Sequence, residues 1–111
     1  MTPHLDHPKK GNRAVEHRLY SAVHETLRRH CLPGWRYTSM GWDGWPTFLL
    51  IGARKVCFLQ LKISSGKINT DIAAHVMANG CGYGFAYDPH DALSMLKDWG
   101  CVSPDAEPVS V

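Results

Sequence analysis

The sequence predicts a small α/β protein, a mixed β-sheet flanked by helices in the order α-β-β-β-α-β-α, and three features lead there. Val15, Leu19, Val23 and Leu27 recur every four residues, the spacing of one helix face. Two strand-length runs, Thr47 to Gly52 and Lys55 to Lys62, are joined through Gly52-Ala53-Arg54, short enough for a hairpin. Near the end, Asp88-Pro89 and Gly100 frame a last helix: an N-cap carboxylate, a proline at the first helical position, and a glycine stop.

The elements follow in order. Residues 1–12, with Pro3, Pro8, Gly11 and Asn12, read as a flexible basic arm. The first helix then runs from about residue 13 to the Leu32-Pro33-Gly34 turn, with Arg13, Arg18, Arg28 and Arg29 mostly off its apolar stripe. Trp35 to Ser39 is the first strand. In the third strand, Cys57, Leu59 and Leu61 face one way, and Val56, Phe58, Gln60 and Lys62 the other. A helix from about Asp71 to Asn79 is capped by Asn69 or Thr70 and stopped by Gly80, and Gly82 to Tyr87 forms the fourth strand. Ala92, Leu93, Met95, Leu96 and Trp99 give the last helix its apolar side. The expected organisation is an arm (1–12), one domain (13–101) and a Pro-, Asp- and Ser-rich disordered tail (102–111).

At 111 residues, 44% hydrophobic and 20% charged, the composition is that of one globular domain. No apolar run approaches the roughly 18 residues of a membrane span, and the polar N-terminus has no secretory core. A soluble, cytoplasmic protein with no membrane partner is expected. The net charge of +2 conceals an asymmetry. Through Lys67 the chain carries eleven Lys/Arg against Asp6, Glu16, Glu25 and Asp43; beyond it, Lys97 stands against six acids. A basic first half suits a polyanion or an acidic partner.

Several other chemistries find no support. Cys31, Cys57, Cys81 and Cys101 form no C-x-x-C pair, so they read as reduced, small apolar residues and not as zinc ligands. Gly80, Gly82 and Gly84 precede a strand and do not open a helix, which argues against a dinucleotide loop. His17 and His24 lack a third ligand at a metal-binding spacing, and no Ser or Cys occupies a nucleophile elbow.

The remaining motifs fall in a recognisable order. Glu16 lies on the first helix, Gly44-Trp45-Pro46-Thr47 leads into the second strand, and Gln60-Leu61-Lys62 ends the third, before Gly66. This order resembles the PD-(D/E)XK nucleases, most closely stand-alone VRR-NUC domains, which show a helical Glu, then G-x-P-D, then a strand ending E-x-K. The resemblance extends over about residues 13 to 100, including the Trp99-Gly100 close of the last helix. It implies a restriction-endonuclease-like fold, and it makes a homodimer an expectation.

The departures bear on chemistry. Active members of the family carry acids at the positions of Thr47 and Gln60 to hold Mg²⁺ or Mn²⁺, and the lysine at Lys62 helps orient the attacking water. Magnesium favours hard, charged oxygen ligands. Thr47 and Gln60 offer only neutral ones, which leaves Glu16 as the one acid of the motif. The degenerate site is therefore Glu16, Thr47, Gln60 and Lys62, with no metal, no cofactor and no catalysis expected. Mg²⁺ or Mn²⁺ enters only if Asp43 or Glu25 replaces a lost carboxylate, which would make the chain a residual metal-dependent nuclease.

The leading expectation is a pseudo-nuclease that binds nucleic acid, DNA above all. Lys9, Lys10, Arg13, Arg36, Lys62 and Lys67 would contact phosphate, and Trp42 and Trp45 would stack on unpaired bases. Trp35 and Tyr37 read as packing residues. The resemblance further implies a phage or mobile-element origin. The alternative is a protein partner: an anti-defence module that inhibits a host complex through the old cleft or the Trp-rich loop.

Overall fold

The computed structural model describes residues 10–40, 45–61 and 70–109, with the backbone alone for 10–16. The protein is mixed α/β, with elements in the order α1 (Lys10–His30), β1 (Arg36–Ser39), β2 (Phe48–Ile51), β3 (Val56–Leu61), α2 (Thr70–Ala78), β4 (Gly82–Ala86) and α3 (Pro89–Trp99). The strands form one open four-stranded sheet, β1-β2-β3-β4. β1, β2 and β3 are antiparallel neighbours, with Tyr37 opposite Leu50 and Leu50 opposite Cys57. β4 pairs parallel to β3, Cys57 opposite Gly82. A parallel partner cannot be reached by a tight turn, and α2 lies in the connection that brings the chain back.

Strand alternation decides the faces. Along β3, Cys57, Leu59 and Leu61 are buried while Val56, Phe58 and Gln60 are half-buried. The buried side meets α1 through Leu19, Val23 and Leu27 and α3 through Ala92, Leu93 and Leu96. Each fully buried leucine there, such as Leu27 or Leu59, contributes roughly 1.5–3 kcal/mol. Thr26 is a buried polar residue of α1, and its hydroxyl donates to Ala22 O at 2.9 Å. The direction of α1 matters below. Tyr20 stacks on Phe48, with ring centroids 5.2 Å apart, and His24 meets Tyr37 edge-on at 5.8 Å. The helix thus runs from the start of β2 toward the start of β1.

α3 begins and ends as its sequence dictates. Asp88 accepts the Asp91 amide at 2.8 Å, Pro89 follows, and Gly100 closes the helix at φ 80°. The helix lies so close over β4 that a β-carbon at Gly82 would stand 3.2 Å from Trp99 Nε1, and one at Gly84 2.6 Å from Met95 Sδ. The glycine alternation of β4 is a packing requirement.

Three expectations change at the edges. α1 already includes Lys10, Gly11 and Asn12, so the helix reaches into the segment read as an arm; residues 1–9 lie outside the described residues. Thr70 is the first residue of α2, not its cap. The tail is not free from residue 102 onward. Val102 bridges Cys31, Ala106 is 2% exposed, and both belong to the core. Pro, Asp and Ser between them hid two small apolar residues that fill the space beside the end of α1.

Candidate functional site

Thr47 sits one residue before β2 and joins both neighbouring strands. Its carbonyl accepts the Met40 amide at 2.8 Å, and its own amide donates to Leu59 O at 2.9 Å. Its hydroxyl accepts the Leu61 amide at 3.0 Å. Gln60 lies between Leu59 and Leu61, and its side-chain Nε2 donates to Leu61 O at 3.3 Å. The two neutral residues of the motif therefore meet at one residue, Leu61. Leu61 lies beyond the start of β2, and there side chains take over its N–H and C=O. A buried amide left unpaired would cost about 1–3 kcal/mol, so this is a structural duty.

The other motif residues are placed by backbone alone or not at all. Glu16 is on α1, four residues before Tyr20, and one helical turn is about 5.4 Å. Since Tyr20 stacks on Phe48, that turn of α1 lies toward the Thr47 end of the sheet. Arg13 and Lys10 precede it on the same helix. Lys9, Trp42, Asp43, Lys62 and Lys67 lie outside the described residues.

The donor set does not suit a hard divalent cation. Thr47 and Gln60 are uncharged and already bonded to Leu61, and no group of three or more His, Cys, Asp or Glu side chains converges among the described residues. Glu25 is no substitute. Arg29 Nε donates to its carboxylate at 2.6 Å and Arg28 Nε at 2.8 Å. These bonds hold its pKa down, from 4.5 to about 2. It also stands nine residues beyond Glu16, about 13 Å along the helix.

Trp45 is 37% exposed and stands beside fully buried Pro46. With Asp71, Ile72, His75 and Val76 of α2 it lines a largely apolar cavity of about 390 Å³, two residues along the chain from Thr47. The α2 wall was missed from sequence, although Ile72, His75 and Val76 share the three- and four-residue spacing of one helix face.

Arg36 does not belong with this group. It pairs opposite Ile51, four residues along β2 from Thr47, or about 13 Å. Period-two alternation assigns a residue to a face of a sheet but not to an end; register does that. The chain matches no protein-family model, no curated protein and no solved structure.

Proposed function

We propose that this protein is a catalytically silent relative of the PD-(D/E)XK nucleases that binds nucleic acid at the end of its sheet marked by Thr47 and Gln60. The observation that carries the reading is the convergence of Thr47 and Gln60 on Leu61: the two positions that hold metal in that family are neighbours here, neutral, and committed to backbone hydrogen bonds. The element order and the mixed four-stranded sheet are compatible with a restriction-endonuclease-like fold. A basic first half supplies charge for phosphate, and Trp45 supplies a partly exposed ring for an unpaired base.

The test is a gel-shift and cleavage panel on single-stranded, duplex and branched DNA, with and without Mg²⁺ or Mn²⁺. The reading expects binding that weakens steeply with salt and no cleavage under any condition. No binding at low salt removes it. Trp45, partly exposed beside the largely apolar cavity against α2, favours a second reading, a protein-docking module. A stoichiometric protein complex that survives reversal of Lys62 would support that reading instead.

A further inference from the structure

The face of the sheet turned away from α1 and α3 is apolar where a solvated face would be polar. An antiparallel meander with one face in water alternates apolar and polar residues along each strand. β2 does not: it reads Phe48-Leu49-Leu50-Ile51, a continuous apolar run of the kind found in strands covered on both sides. Phe48 and Leu50 are fully buried against the helices, and Leu49 and Ile51 face the other way. Register sets their neighbours. Ile51 lies between Arg36 and Val56, and Leu49 between Thr38 and Phe58. Leu49, Ile51, Val56 and Phe58 thus form one contiguous block on the outer face. Ile51 is 46% exposed and the other three are half-buried.

Part of this face is already roofed. α3 occupies the inner face of β4, where Gly84 lies beneath Met95. α2 also packs on β4 and buries Ala73 and Val76, so it lies on the outer face. Among the described residues, no helix packs closely on β1 or β2 from that side. The space left has the dimensions of a helix. β2 is two strands from β4, about 9.6 Å away, and helices pack side by side at about 8–10 Å. A helix laid over β2 would rest against α2 and complete the layer.

The rim of the block is basic. Arg36 stands directly opposite Ile51 on this face, and the β2–β3 turn that bounds the block holds Arg54 and Lys55. All three are exposed and make no ion pair with a described residue. No Asp or Glu occurs from Trp35 to Met40 or from Trp45 to Leu61. Two copies meeting through this face would bring like charges together, whereas an acidic partner would be drawn to it.

We propose that the outer face of β1, β2 and β3 docks an acidic amphipathic helix of a partner protein. Its apolar stripe lies on Leu49, Ile51, Val56 and Phe58, and its carboxylates lie toward Arg36 and the β2–β3 turn. The surface makes no use of the hydrogen bonds of Thr47 and Gln60, and it stands or falls apart from the nucleic-acid reading.

The experiment is an NMR titration of the isotope-labelled full chain with a helical peptide of leucine, alanine and glutamate. Its leucines form one helix face, and a control peptide carries lysine in place of glutamate. The acidic peptide is expected to shift the Leu49 and Ile51 methyl signals and to bind at least about tenfold more tightly than the basic one. Ile51→Ser and Arg36→Glu, both at exposed positions, are each expected to weaken binding about tenfold. Lys97→Glu, on α3 across the sheet, is expected to leave it unchanged. Vesicles of phosphatidylserine and phosphatidylcholine offer the other surface that combines apolar matter with negative charge. Methyl shifts with vesicles but not with the peptide identify a lipid surface and overturn the proposal. Contacts of these methyls with residues 1–9 or 62–69 in the peptide-free chain would show the chain covering its own face. Methyl signals that move on dilution without peptide would show a second copy there. Either result, equal binding of the two peptides, or no shift at millimolar peptide also overturns it.

Discussion

The Leu61 amide donates to the hydroxyl of Thr47 across 3.0 Å, one residue before β2 begins. Thr47 is a stitch between strands.

The first prediction tests that stitch. Thr47→Val keeps the shape and removes the acceptor, leaving the Leu61 amide unpaired in a position that is 9% exposed. A loss of roughly 1–3 kcal/mol is expected in denaturant unfolding, while Thr47→Ser retains most of the stability. Equal stability of the valine and serine variants would contradict the role.

Metal binding should be recoverable. A carboxylate at position 47 can also accept the Leu61 amide, so Thr47→Asp combined with Gln60→Glu is expected to fold. The double variant should bind Mn²⁺ in calorimetry, and Glu16→Ala should abolish that binding. A folded double variant that ignores Mn²⁺ removes the pseudo-nuclease reading.

Trp45 separates base stacking from packing. Trp45 is 37% exposed and buries the rest, so Trp45→Ala should cost some thermal stability, a packing loss independent of which DNA is offered. On single-stranded DNA the same variant should lose roughly 1–3 kcal/mol of binding, with little change on duplex, where bases are not free to stack. An equal loss on both substrates would point to phosphate positioning.

Gly82→Ala tests how tightly β4 is packed against Cys57 of β3 and Trp99 of α3. The added methyl would meet Cys57 Sγ at 2.8 Å and Trp99 Nε1 at 3.2 Å, and Cys57 is fully buried. Overpacking of this kind costs about 1–3 kcal/mol, and circular dichroism melts against wild type would show it.

Alkaline pH should destabilise the protein through Cys101. Burial raises its thiol from 9.0 to about 12, because the thiolate is poorly solvated in the core. A group whose folded pKa is raised contributes stability that is complete below its unfolded value. That contribution is lost as pH climbs from 9 toward 12. Cys101→Ser keeps a donor for Leu96 O, which the thiol meets at 3.4 Å, and should flatten the loss. Unfolding curves of both proteins across that window should converge at the alkaline end.

The sequence made α3 legible almost to the residue, because Asp88, Pro89 and Gly100 are local signals with local causes. The faces of β3 were legible for the same reason. Burial of Val102 and Ala106 was not, since a polar, proline-containing stretch has no periodicity and only the cavity beside α1 gives it a place. The convergence of Thr47 and Gln60 followed from motif order, but the hydrogen bonds that occupy them depend on where β2 begins. That Arg36 lies about 13 Å along β2 from Thr47 was not legible, because charge alone carries no register.

The bridge between Cys31 and Val102 also bears on how fast this chain can reach its native state. It joins positions about seventy residues apart, whereas β1, β2 and β3 meet across nearby turns. Contacts between distant positions must await closure of the intervening loop, and topologies rich in them fold slowly. The meander with α1 has the local contacts of an early nucleus; β4, α3 and the closing segment add theirs afterwards. Substitutions at Val102 are therefore expected to accelerate unfolding far more than they slow folding.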